Sequence, residues 1–335
     1  MRRLREGPSG SDVAREARPR DAARRTRGNP GLRVLLRLIC LLVGCGVSSP
    51  RADLEAYGRE RGTLIATDTT SPQPRGRYVA ERVMLRSSTG LTVTGQLLRP
   101  ARGGCFPAVL VQDGREENSD VIGRLPPDFG DVVVLSLDYP DEVPYAVRLR
   151  DFVFHRDRLR DGARQIPADF SLGAAYLSER DEVDTSRIAI AATSFAVPFA
   201  VIAAALDERF RNIALVYGAG QLSSVLAANL TGVPRALRAP VAAVVMRSFA
   251  DFAPERFIGL VAPRPIVMVN GIDDPQMPVS AAEHLYDAAR EPKTMIWLRT
   301  GHLMPTDSAL IRSLIDTAFA RLPVLRHADT KCRGS

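Results

Sequence analysis

Lysine is almost missing from this chain. Of 45 basic residues only Lys293 and Lys331 are lysine, which reflects coding bias more simply than chemistry. Cysteine is scarce as well, with four in 335 residues. Cys40 and Cys45 fall in the N-terminal segment, so Cys105 and Cys332 are the thiols left to the body, too few for a disulfide scaffold. Neither Cys-x-x-Cys nor His-Glu-x-x-His spacing occurs, so nothing argues for a structural or catalytic zinc and no cofactor is implied. The apolar run Leu38–Val43 is far short of the roughly 20 residues that span a bilayer. No repeat of fixed period is visible. What is present is 45% hydrophobic and 25% charged content, enough to bury a large core and to exclude a wholly disordered or fibrous chain. The length fits one large α/β domain or two small ones.

The formal charge of +7 invites a nucleic-acid reading until it is located. Residues 1–45 hold 11 Arg against 4 acids, which leaves 34 basic and 34 acidic side chains for the rest. The body is neutral, so the excess argues for no phosphate-binding face and no nucleic-acid partner. The first thirty residues lack apolar periodicity and are expected to be disordered. Arg33 and Arg37 then precede the apolar run, followed by Gly44 and Cys45, the charged, apolar, small order of an export signal. Leu42-Val43-Gly44-Cys45 also resembles the lipobox of bacterial lipoproteins, which implies lipid on Cys45, export to the cell envelope and a membrane anchor. A short buried or interfacial segment with an incidental cysteine remains the alternative. Residues 1–45 are thus expected as leader and signal, 46–77 as linker, 78–322 as the folded domain and 323–335 as a tail. Asn229-Leu230-Thr231 is formally a glycosylation sequon and reads as a chance match.

From about residue 78 short β-branched runs alternate with helix-compatible stretches, the pattern of a mostly parallel sheet covered on both faces. Eight strands are expected: Val79–Leu85, Leu91–Leu98, Ala108–Gln112, Val132–Leu137, Ile188–Ala191, Ile213–Tyr217, Ile266–Val269 and Met295–Leu298. Helical stretches lie at Leu172–Glu179, Pro198–Leu206, Ala281–Arg290 and Ser308–Arg321. The segment Gly220–Pro263 is richer in Ala, Arg and Pro than in strand formers. It is expected as a cap-like helical insertion over the carboxyl ends of the strands, or else as a plain surface excursion.

The sharpest feature is Ile188-Ala189-Ile190-Ala191-Ala192-Thr193-Ser194-Phe195-Ala196, a strand running into a helix with a serine at the turn. Such a turn lifts one side chain above the sheet edge and tolerates only small residues two positions to either side, here Ala192 and Ala196. The following helix aims its free N–H groups at the serine. By itself a serine there is a common helix cap. The strand Ile266–Val269, however, runs out into Asn270-Gly271-Ile272-Asp273-Asp274, and the strand Met295–Leu298 into Arg299-Thr300-Gly301-His302. Serine, carboxylate and imidazole therefore follow separate strands in that order. A serine hydroxyl needs a base to take its proton, and the base needs an acceptor to fix its tautomer.

On these residues the chain resembles an α/β-hydrolase over roughly residues 78–322, most nearly the dienelactone hydrolase, acetyl-xylan esterase and prolyl oligopeptidase-like branch. Phe106–Gly114, Glu182–Ile188, Ala262-Pro263-Arg264-Pro265 and Gly271-Ile272-Asp273-Asp274 carry the likeness. The resemblance implies Ser194 as nucleophile, His302 as base, Asp274 as the acid with Asp273 as runner-up, and an oxyanion hole from the backbone N–H groups of Phe195 and Arg115. It implies a small-molecule carboxylic ester cleaved through an acyl-enzyme. Two departures stand out: alanines in place of the elbow glycines, and Gln112-Asp113-Gly114-Arg115 where the family has His-Gly. Asp113 is an awkward neighbour for a developing negative charge unless it points away or pairs with Arg115. A non-catalytic binding lipoprotein of the same fold and a serine peptidase are the competing expectations. His155, His284 and His327 are expected at the surface, Arg115 as a solvated loop arginine. Trp297, Phe195, Tyr139 and Tyr217 are placed to line an acyl pocket or simply to pack.

Overall fold

The computed structural model describes residues 48–322 other than 115–120, 127–128, 144–147 and 304–306. Its strands are β1 (Leu64–Thr69), β2 (Gln73–Arg75), β3 (Tyr78–Ser87), β4 (Thr92–Pro100), β5 (Phe106–Gln112), β6 (Val133–Leu137), β7 (Val183–Thr193), β8 (Asn212–Val216), β9 (Ile266–Gly271) and β10 (Lys293–Leu298). They form one sheet in the order β1-β3-β4-β6-β5-β7-β8-β9-β10, with β2 beside β3. Pairing is parallel from β6 through β5, β7, β8 and β9 to β10, and antiparallel among β1 to β4 and between β4 and β6. All eight strands expected from the sequence are present.

The central strands read as continuous apolar runs because both faces are covered. Leu110, Leu135, Ile190, Leu215 and Met268 enter one core, while their neighbours Val109, Val134, Ala189, Ala214 and Val267 enter the other. That alternation is the period of two of a strand. The helices are α1 (Pro50–Arg61), α2 (Val121–Arg124), α3 (Leu149–Phe154), α4 (Arg156–Glu179), α5 (Val197–Leu206), α6 (Leu222–Asn229), α7 (Arg235–Met246), α8 (Val279–Ala288) and α9 (Ser308–Arg321). Side chains of α1, α4 and α5 fill the first core, and Leu314 and Ala318 of α9 close the second.

Residues 50–75, expected as linker, instead form α1, β1 and β2. Tyr57 is the reason α1 docks: it is 1% exposed, lies in the first core and carries the Arg164 guanidinium 5.5 Å from its ring centre. Burial holds the Tyr57 hydroxyl well above the usual phenol range. One buried aromatic in three turns is too sparse to register as a periodicity. Helix α4 starts four turns before the stretch read from the sequence, since Pro167 and a run of Arg and Asp hide its first half. Segment 221–260 forms α6, α7 and three 3-10 turns, Arg247–Phe252, Pro254–Arg256 and Ile258–Leu260. Cys105, one of the two cysteines left to the body, is disulfide-bonded.

Candidate active site

Strand β7 ends at Thr193, and Ser194 turns the chain with a φ of +52°. A left-handed backbone costs an L-residue with a Cβ roughly 1–2 kcal/mol, so the surroundings must hold it there. Ala192 and Ala196 are buried on either side, and α5 begins directly after a 3-10 turn over Ser194–Ala196. Helix α5 is apolar on every face and lies within the core, with Pro198 in its first turn where a missing N–H costs nothing. A rigid strand and a buried helix thus pin the serine, and the positive end of α5 faces it.

The carboxylate arrives from β9. Ile272 and Asp273 turn outward and are exposed, while Asp274 turns inward and is buried. One oxygen of Asp274 accepts the backbone N–H of Gln276 at 2.7 Å and of Met277 at 3.2 Å. The other lies 2.6 Å from Nδ1 of His302. With the ring proton assigned to Nδ1 on that ground, Nε2 is free to accept, and the Ser194 hydroxyl lies 3.2 Å from it. Of the two candidate acids, the geometry brings Asp274 to the imidazole and leaves Asp273 in solvent. Hydroxyl, imidazole and carboxylate form a continuous relay in which the Asp274 side chain has no exposure and His302 only 12%. Such a relay can move a proton off a hydroxyl as the oxygen attacks an electrophilic carbon.

Gly271 and Tyr217 bring the two loops together. A Cβ at Gly271 would run into the carbonyl of Thr300 and come within 3.0 Å of the Tyr217 ring, so only glycine lets β9 pass beneath the loop that carries His302. Tyr217, itself at a φ of +52°, packs its ring 5.1 Å from the His302 ring and shares a 3.0 Å hydrogen bond with the Thr300 hydroxyl. Its phenol is raised above the ordinary range by burial, against the Thr300 hydrogen bond. Of the two roles expected for Tyr217, lining an acyl pocket or packing, the structure gives it the second, against the His302 ring.

At the end of β5, Gln112 is fully buried and takes over from the backbone ladder. Its amide donates to the Leu137 carbonyl at 2.9 Å and accepts the Leu137 N–H at 3.3 Å, fastening β5 to β6 beyond their last paired residues. Asp113 follows and lines the same cavity as Ser194 and His302. It accepts the Gly114 N–H at 2.7 Å, while its own carbonyl accepts the Tyr139 hydroxyl at 2.7 Å. Burial pushes the Asp113 carboxyl up from its ordinary value, opposed by the Gly114 N–H and by the charges of Arg124 and His302. Arg115 and Cys45 lie outside the described residues, as does His327. His155 and His284 are exposed, as expected.

Above Ser194 opens a cavity of about 500 Å³, lined mainly by apolar side chains. One wall is a chain of ring contacts: Phe195 to Phe199 at 5.3 Å, Phe199 to Phe252 at 6.2 Å, Phe252 to Phe249 at 6.1 Å and Phe249 to Phe152 at 5.3 Å, with Tyr139 packed behind Phe195 at 5.7 Å. Arg160 of α4 fixes that wall. It holds Asp251 with two hydrogen bonds of 2.9 and 2.7 Å and lies over the rings of Phe249 and Phe252. Leu222, Val225 and Leu226 of α6 also line the cavity. Only Phe195 of the four aromatics singled out in the sequence lines this cavity, and Trp297 sits on β10, paired with Asn270 of β9. The phenylalanines from 249 and 252 were invisible in sequence because nothing there links them to Ser194. Among the described residues no group of three or more His, Cys, Asp or Glu side chains could hold a metal, and no helix is long and apolar enough to cross a membrane.

The sheet order, a serine at the strand-to-helix turn after β7, and an acid and a histidine on the loops after β9 and β10 define the α/β-hydrolase fold. No family model matches the chain, and no match is found among curated proteins. Solved structures do match. Acetyl xylan esterase 1 from Thermoanaerobacterium sp. superposes with a TM-score of 0.59 at 15% identity, covering 81% of this chain and 95% of that one. The acetyl xylan esterase of Paenibacillus sp. R4 gives 0.59 at 17% identity, covering 85% and 99%. A cold-adapted esterase from an Arctic intertidal metagenomic library gives 0.52 at 14%, covering 77% and 100%. The chain shares their fold.

Proposed function

We propose that the protein is a serine hydrolase that cleaves carboxylic esters through an acyl-enzyme. The observation that carries the reading is the relay from Ser194 through His302 to Asp274 at 3.2 and 2.6 Å, on a serine whose backbone is held at positive φ. The names of the structural neighbours support an ester as the substrate. In this reading Ser194 Oγ attacks the carbonyl carbon while His302 Nε2 takes its proton. The tetrahedral oxyanion is stabilised by the N–H of Phe195 at the head of α5, with the Arg115 N–H as the expected second donor. His302 then gives the proton to the departing alcohol, and a water activated by the same nitrogen releases the acid. Asp274 accepts the hydrogen bond from Nδ1, fixes the tautomer and offsets the imidazolium charge. No cofactor takes part. Export with lipid on Cys45 rests on the Leu42–Cys45 pattern, and the disulfide at Cys105 is compatible with an oxidising compartment.

A fluorophosphonate probe tests the reading, because it reacts only with an activated serine. Labelling that maps to Ser194, together with a loss on the order of 10⁶ in turnover of short acyl esters in Ser194→Ala, is expected. An unlabelled Ser194 would leave the non-catalytic binding protein as the better account.

A further inference from the structure

The cavity over Ser194 is much larger than an acetyl ester requires. At about 30 Å³ for a water-sized group, an acetyl unit of three such groups fills a small fraction of some 500 Å³. Most of the rest of that space is bounded by carbon, and water held between apolar walls is readily displaced by an apolar group. The walls also have a direction. At one end Leu159, Ala163, Phe199, Phe249 and Phe252 are buried, between 3% and 7% exposed. Asn229, also in the lining, is exposed, and its amide donates to the Gln276 carbonyl at 2.9 Å, tying α6 to the loop that carries Asp274, the partner of His302. Among the described residues the lining is therefore most enclosed beneath α4 and most open at Asn229, on the side of the Asp274 loop.

That polarity bears on which half of an ester goes where. An alcohol must leave, and a water must enter, past the same imidazole nitrogen, so both need the open end. The acyl group remains attached to Ser194 through both steps and can occupy a closed one. Resting on the serine-esterase reading, we propose that the closed, aromatic-walled end is an acyl-chain pocket, and that the preferred substrates are esters of apolar carboxylic acids of about six to ten carbons. The rings of Phe199, Phe249 and Phe252 would then lie along the chain, and Ala163 at the closed end limits its length.

The test is a series of p-nitrophenyl esters from acetyl to dodecanoyl, kept below the concentrations at which they aggregate, beside a series of acetates with alcohols of growing length. Each buried methylene is worth up to about fourfold, so kcat/KM is expected to rise at least about 100-fold from acetyl to octanoyl and to fall again at dodecanoyl. Lengthening the alcohol should gain far less. In Ala163→Phe, which fills the closed end, the octanoyl-to-acetyl ratio of kcat/KM should drop at least tenfold. Val225→Phe on the half-exposed face of α6 narrows the same space if the first variant does not fold, with the same expected direction. Turnover of acetyl esters with a labelled Ser194 but no gain with acyl length overturns this inference alone. A gain that follows the alcohol instead also overturns it. Absence of both labelling and turnover removes the esterase reading and the pocket assignment together.

Discussion

Nδ1 of His302 lies 2.6 Å from a carboxylate oxygen of Asp274, while Asp273, its neighbour in the chain, is exposed to solvent. The difference comes from the turn after β9, in which the Asp274 N–H donates back to the Gly271 carbonyl at 3.4 Å. The Asp274 carboxylate is anchored by the N–H groups of Gln276 and Met277, so it is aimed before the histidine arrives.

Exchange of the acid for its amide therefore separates the two carboxylates. Asp274→Asn offers an N–H where the Nδ1 proton needs an acceptor, which favours the wrong tautomer and leaves Nε2 protonated toward Ser194. A loss of about 10⁴ in kcat is expected with little change in KM. Asp273→Asn should stay within about twofold of the parent. Steady-state kinetics on a short acyl ester compares them, and equal losses in the two variants would mean that the relay seen at Asp274 is not the working one.

Asp113 is the feature that most distinguishes this site from a conventional one. Its carboxyl is raised by burial, so the folded protein binds that proton more readily than the unfolded chain. The sign follows: the contribution to stability is full below the ordinary carboxylate range and is lost as pH rises through the folded value, where an ionised Asp113 sits beside the site. Asp113→Asn should consequently raise Tm at pH 8 and leave it unchanged near pH 4. If the carboxylate also opposes the oxyanion, the kcat ratio of variant to parent should climb over the same interval. Thermal melts and pH–rate profiles measure both, and a ratio flat with pH would show that the Asp113 charge points away from the chemistry.

How much of this was legible beforehand depended on range. Ser194, Asp274 and His302 each follow a short apolar run by a fixed small offset, so their strand-end positions follow from local pattern alone. The central strands announce themselves because burial on both faces leaves no polar interruption. The helix α1 does not, since its docking depends on the single ring of Tyr57 and on an ion pair from Asp53 to Arg256 across most of the chain. The aromatic wall of the cavity was equally hidden. Phe152, Phe199, Phe249 and Phe252 meet only after α4 and the 3-10 turn at Arg247–Phe252 are folded against each other by Arg160 and Asp251. Partners this far apart leave no periodicity to read, and each phenylalanine alone is an ordinary core residue.

The same long-range logic makes Asp207 the best place to test that residues 50–61 belong to the domain. Asp207 closes α5 and is 4% exposed. It accepts two side-chain hydrogen bonds from Arg209, at 2.9 and 2.7 Å, and one from Ser171 of α4, with Arg61 of α1 at 3.6 Å. Burial opposes ionisation, but the Arg209 and Ser171 hydrogen bonds outweigh it and hold the carboxyl below its usual range. Asp207→Asn keeps the shape and removes the charge that Arg209 and Arg61 face. Removing one partner of a fully buried pair costs about 3–5 kcal/mol; here Arg209 keeps a third of its side chain in water, so about 2 kcal/mol is the fitting figure. That corresponds to a fall of about 5 °C in Tm at pH 7. Because the folded value is depressed, the stabilisation is present above the ordinary carboxylate range and is lost as pH falls through the folded value, so the gap between parent and variant should close in acid. Adding Arg61→Ala to Asp207→Asn should then cost less than Arg61→Ala costs in the parent. Strict additivity in that cycle would mean that α1 rests on the domain without sharing this ion cluster.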